Sequence, residues 1–225
     1  MQFTYYGHAC FSIKTEGKSL LFDPFITPNP LASGIDINQI EADFILVSHG
    51  HEDHIADCIS IAKRTGSVVI SNWEICNWLN KNGVENTLPM NTGGQKSYDF
   101  GTIKCVAAQH SSSMPDGSYG GNPHGFLIKG KKNIYYSGDT ALTLDMQLVA
   151  QSAPLHTAIL SIGDHFTMGY EDAAKAAHMI QCREVIGVHF DTFPYIAIDK
   201  ESAINHFKNN GLNLVLPAIG ETINL

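Results

Sequence analysis

The chain reads as an α+β protein built from mixed β-sheets covered by helices. Three observations lead there. Short apolar runs in the first 22 residues follow one another closely, with a tight turn between the last two. Strand-like runs then alternate with helix-like stretches along the rest of the chain. No linker, charge block, low-complexity segment or internal repeat divides the 225 residues, so one domain spanning 1–225 is expected.

The elements follow in order. Residues 2–6, 10–15 and 19–22 read as strands, with Glu16-Gly17-Lys18 as the turn between the last two. Pro24 opens a loop rich in Pro and Gly that runs to Asp36. The apolar run Phe44-Ile45-Leu46-Val47 reads as a buried strand. Residues 55–64 follow as a helix, with Ile55, Cys58, Ile59 and Ala62 on one face and a stop at Gly66. A short strand over 68–70 precedes a helix over 73–82, capped by Asn72 and ended by Gly83. In that helix Trp73, Ile75, Trp78 and Leu79 have core spacing. Further strands are expected at 103–108, 125–128, 134–136, 158–162, 185–188 and 214–216, and helices at 145–152, 170–181 and 200–209. Residues 111–122 are rich in Ser, Gly, Asn and Pro and read as a mobile loop.

The segment His49-Gly50-His51-Glu52-Asp53-His54 carries the chemistry. Neutral imidazoles and carboxylates are the ligands of zinc and related transition metals. In extended chain, residues two apart point the same way, so His49 and His51 can share one metal. Asp53 and His54 come after the chain turns and can reach a second. Crowding so many polar groups without a metal would leave some unpaired, at about 1–3 kcal/mol each. Three more candidates follow apolar strands: His110, Asp139 and His189. By role, His49, His51 and His110 would hold the first metal, and Asp53, His54 and His189 the second. Asp139 would bridge both. His8, Asp23 and His124 form an outer tier that could orient ligands or face substrate.

Composition narrows the function. With 44% hydrophobic and 16% charged residues the chain is globular. A net charge of −8, with no basic cluster beyond Lys129-Gly130-Lys131-Lys132, gives long nucleic acid no footprint. The five cysteines are odd in number and lack C-x-x-C spacing, so they read as reduced, buried thiols. Residues 1–6 lack the regions of a signal peptide, and no apolar run spans a bilayer; a cytoplasmic protein is expected. A Gly-x-Ser-x-Gly elbow is absent, which argues against a serine hydrolase.

The order H-x-H-x-D-H, then His110, then Gly138-Asp139-Thr140, then His189 resembles the metallo-β-lactamase superfamily over nearly the whole chain. Gly7-His8-Ala9-Cys10-Phe11, Leu21-Phe22-Asp23-Pro24 and the run from Ile162 to Gly169 resemble more narrowly a bacterial branch of metal-dependent hydrolases. That branch is similar to the lactonase that opens a phosphorylated ascorbate lactone. The resemblance implies a four-layer αββα sandwich of two mixed sheets. It implies a binuclear hydrolase in which a metal-bridging hydroxide attacks a small ester-like bond, with a lactone favoured. Zinc is the first expectation for the metals, then manganese, then iron. Asp53 would orient the nucleophile and move its proton. His165 stands where Asn is usual in that branch, and could serve as acid/base, ligand or hydrogen-bond donor. The expected partner is a small molecule, with a homo-oligomer as an option. Phosphodiester hydrolysis, iron-dependent oxidoreduction and metal-dependent binding are the competing readings.

Overall fold

The first three strands pair as their turn chemistry dictates. β1 (Gln2–Gly7), β2 (Cys10–Thr15) and β3 (Lys18–Phe22) form an antiparallel meander. Thr15 pairs with Lys18, and Glu16 and Gly17 between them have φ of 47° and 75°. A two-residue turn with positive φ at both positions matches the twist of the strands it joins. The computed structural model describes all 225 residues, and they divide into two compact units.

The first unit comprises Met1–Thr92, Ser111–Pro123 and Ala218–Leu225. After the meander come β4 (Phe44–Leu46), α1 (Glu52–Ile55), α2 (Cys58–Thr65), β5 (Val68–Ser71), α3 (Trp73–Lys81) and β6 (Thr87–Pro89). From β3 onward the pairing is parallel; a loop with two 3-10 turns joins β3 to β4, and α1–α2 and α3 are the crossovers to β5 and β6. β1, β3 and β4 run in one direction, so His8, Asp23 and His49, which follow them, leave the sheet at one edge. One face of this sheet carries Leu21, Ile45 and Val69 and packs against Ile55, Ile61, Ile75 and Leu79 of the helices. Leu20, Leu46 and Ile70, at the alternate positions, are also buried, so these strands read as continuous apolar runs.

The second unit comprises Gly93–His110 and His124–Pro217. It holds β7 (Gln95–Tyr98), β8 (Gly101–Ala107), β9 (His124–Lys129), β10 (Ile134–Tyr136), α4 (Met146–Ser152), β11 (Thr157–Ser161), α5 (Tyr170–Met179), β12 (Glu184–Val188), α6 (Lys200–Asn209) and β13 (Asn213–Val215). The last strand, β14 (Thr222–Asn224), pairs with β1 in the first unit. The second sheet runs β13-β12-β11-β10-β9-β8-β7. Its β10 to β13 are parallel, and β7 to β10 pair antiparallel. β8, β10, β11 and β12 therefore all point their carboxyl ends to one edge. In α5 the small Ala173, Ala174, Ala176 and Ala177 are buried and let the helix sit close in its core, beside Phe207 of α6.

Two mixed sheets with helices packed on them are thus present, as the sequence predicts. Several details differ. β6, β7 and β14 are additions, and each is an edge strand. Edge strands are short, polar or broken by proline, so their pairing leaves little periodic signal. The expected 55–64 helix is two helices, α1 and α2, and α1 starts inside the histidine-rich motif. Trp73 is 56% exposed, so it is not a core residue. No helix is long and apolar enough to cross a membrane.

Candidate metal centre

In the first unit the motif turns from extended chain into helix at His51, the residue before α1. Asp23 lies beneath it, fully buried, in the short turn after β3. Its carboxylate accepts from the Ser48 amide (2.7 Å), the Ser48 hydroxyl (2.6 Å) and Nδ1 of His54 (2.9 Å). A buried carboxylate is tolerated only with donors of this kind. The Ser48 proton is committed to Asp23, so Ser48 Oγ accepts from Nδ1–H of His49 at 3.0 Å. Both histidines then carry their proton on Nδ1 and present Nε2 as a lone pair. His49 Nε2 lies 2.9 Å from Nδ1 of His51. One carboxylate thus fixes the tautomers of two candidate ligands.

Asp53 is partly open to solvent, unlike the buried Asp23. Its Oδ2 lies 3.0 Å from Nε2 of buried His8 and 3.9 Å from Nε2 of His54, with 27% of its side chain exposed. The turn that carries His8 is tied by the Tyr5 hydroxyl, which donates to the His8 carbonyl (2.9 Å).

In the second unit Asp139 is the focus. Its Oδ2 lies 2.9 Å from His189 Nε2 and 3.7 Å from His110 Nε2, and the Ser161 hydroxyl donates to its Oδ1. Thr140 Oγ1 accepts from the Gln109 amide, and the Ala141 amide donates to the Gln109 carbonyl. These bonds clamp the loop before His110 to the loop after Asp139. Among the residues singled out in the sequence, His49, His51, Asp53 and His54 come together in one unit, and His110, Asp139 and His189 in the other. Imidazole and carboxylate donors with protons parked on the far ring nitrogen suit a divalent transition metal.

The outer tier resolves individually. His8 and Asp23 contact candidate ligands directly. His124 does not sit in a mobile segment. It opens β9, is fully buried and packs edge-on against Phe126 at 4.8 Å. His165 is exposed on the loop after β11, stacked on Tyr195 at 5.0 Å. Residues 111–122, expected to be mobile, are fastened. Met114 is buried in the first core, the Ser112 hydroxyl receives the Gly50 amide, and Asn72 donates to the carbonyls of Gly120 and Asn122. Ser48, Ser161 and Thr140 were missed in sequence because a lone hydroxyl has no distinguishing pattern. Ser48 and Thr140 adjoin candidate ligands in sequence, whereas Ser161 lies 22 residues from the Asp139 it contacts.

Backbone strain concentrates here. Of the eight non-glycine residues with positive φ, six follow strand ends at these edges: His8, Asp23, Asp164, His165, His189 and Asp191. Such conformations cost of order 1–3 kcal/mol each and persist where surrounding structure imposes them.

Comparison with known proteins places this arrangement. Residues 2–189 match the profile of a Beta-lactamase superfamily domain. A protein of Flavobacterium johnsoniae named as a metal-dependent hydrolase is 52% identical over 226 residues, covering 100% of both chains. One of the same name from Methylacidiphilum infernorum is 48% identical over 99% of both. Among solved structures, a metallo hydrolase from the archaeon Ignicoccus hospitalis is 31% identical with a TM-score of 0.88, over 99% of this chain and 97% of that one.

Proposed function

The chain belongs to the metallo-β-lactamase superfamily, and on that premise we propose that it is a metal-dependent hydrolase that uses two divalent ions to cleave a small ester-like bond, a lactone being the favoured example. In this reading His49, His51 and His110 would hold one metal, Asp53, His54 and His189 would hold the other, and Asp139 would serve both. The observation that carries it is the Asp23 network. A buried carboxylate that sets the tautomers of His49 and His54 is what metal-ligating imidazoles require, and an ordinary polar turn has no use for it.

Bound metals supply an activated water and a Lewis acid for the scissile carbonyl. The protein's own residues do the rest. Asp53, accessible and braced by His8, accepts the proton of the attacking water and returns it to the leaving oxygen. Ser161 and the Gln109–Thr140 clamp hold Asp139 in one orientation. The acidic net charge of −8 supports a small substrate over long nucleic acid. Zinc is the favoured metal, manganese the next, and the cytoplasm the favoured location.

Elemental analysis of protein purified without added metal or chelator tests this. About two zinc or manganese ions per chain are expected, followed by turnover on a panel of lactones, thioesters and small phosphodiesters. Iron as the dominant metal, with oxygen uptake and no hydrolysis, would replace the hydrolase with an oxidoreductase.

A further inference from the structure

Three rings meet on the surface of the second unit. His165 and Tyr195 stack with centroids 5.0 Å apart and planes 20° apart. Phe166 stands across both, at 90° and 4.6 Å from His165 and at 72° and 6.3 Å from Tyr195. Phe166 is 49% and Tyr195 69% exposed. Exposed apolar residues that cluster into a patch, rather than scatter singly, mark interaction sites.

The loops that present them are built into the reactive edge. The loop after β11 is closed by the Gly163–Gly169 bridge, and its Met168 amide donates to the carbonyl of Thr140, next to Asp139. Gly163 packs so closely on the carbonyl of His189 and on Ile196 that a Cβ there would collide with both. Tyr195 belongs to the loop that begins at His189, and that loop is closed by the Asp191 amide donating to the Ile196 carbonyl. Backbone bonds and backbone packing therefore register the rings against both Asp139 and His189. A rigid platform spares a ligand the cost of ordering it.

We propose that His165, Phe166 and Tyr195 form a subsite for the non-reacting part of the substrate, and that this part is a planar or aromatic ring. The inference rests on the hydrolase reading and names its substrate class. The occupant is a small molecule because three partly exposed rings offer far less than the roughly 800 Å² each partner buries in a stable protein interface. They match instead the size of one ring, and aromatic rings prefer the stacked and edge-on contacts this corner offers. His165 is here a wall of the subsite, its imidazole held by Tyr195 and Phe166.

The test uses phenylacetate, a product-like aryl carboxylate, with acetate as control. Affinities are measured by calorimetry or ligand-observed NMR on zinc-loaded and metal-free protein. Phenylacetate is expected to bind more tightly than acetate in both forms. Tyr195→Ala and Phe166→Ala should each cost about two- to tenfold for phenylacetate and nothing for acetate, while Tyr195→Phe retains the preference. Both side chains are half-exposed or more, so the variants keep the fold. No preference in the wild type, or an unchanged preference in both alanine variants, overturns the subsite. So does a wild-type dimer that Tyr195→Ala dissociates while the preference stays unchanged, which would assign the rings to a second copy. A ring preference with no turnover on any panel member would overturn the hydrolase reading alone. Turnover without ring preference would overturn the subsite alone.

Discussion

Asp23 shows how much can depend on one side chain. It is fully buried, it accepts three hydrogen bonds, and it governs His54 directly and His49 through Ser48. Asp23→Asn keeps the size and tolerates the left-handed φ of 41°. It also replaces one accepting oxygen with a donor, which drives a proton onto the nitrogen a metal needs. We expect metal affinity to fall about 10- to 100-fold, read by competition with a chromogenic chelator. His110→Ala removes a proposed ligand itself, so turnover should be abolished while the far-UV spectrum stays native. Near-native activity would remove His110 from the ligand set.

At the scale of elements, Asn72 joins a helix to a loop. Its side chain accepts from the Ile75 amide at the start of α3 and donates to the carbonyls of Gly120 and Asn122. Asn72→Ala loses the cap, worth about 1 kcal/mol, and leaves two carbonyls short of a donor, so about 2–3 kcal/mol of stability should go. Denaturant titration measures it. Asn72→Asp separates the two roles. It keeps the cap and favours the helix N-terminus, but it presents a carboxylate to the two carbonyls. Amide exchange should then quicken across residues 112–120 and stay slow in α3. Equal protection in both regions would show that Asn72 does not fasten the loop.

At the scale of the whole molecule, each unit has its own apolar core, and the candidate ligands lie outside both of them. Chelation should therefore abolish turnover and lower the melting temperature without unfolding the chain, and circular dichroism checks this. Cys182 belongs to the second of these cores, and Cys10 and Cys58 to the first. All five cysteines are free and buried. Burial pushes the thiols of Cys10 and Cys58 far up, and those of Cys76 and Cys182 to about 11. Reactivity needs the thiolate, so a thiol reagent at pH 8 should label none in the native protein and all in denaturant. Fast labelling of Cys76 or Cys182 in the native state would show local opening there.

The sequence alone determined the strands and helices whose patterns are local: the meander with its Glu16-Gly17 turn, the capped α3, the alanine-rich α5. It also singled out His49, His51, Asp53, His54, His110, Asp139 and His189 as candidate ligands, because imidazoles and carboxylates clustered in one motif or placed after an apolar strand stand out. Tertiary structure decided the edge strands, whose pairing depends on a neighbour more than on their own residues. It decided that residues 111–122 are fastened, since the bonds come from Gly50 and Asn72. It decided the Asp23–Ser48–His49 relay and the ring corner, where residues 25 to 31 apart in Asp23's case meet only once parallel strands align their ends. Periodicity and turn chemistry act over a few residues and can be read in one dimension. Hydrogen bonds and ring contacts between distant segments carry no such period, and only the register of the folded sheets creates them.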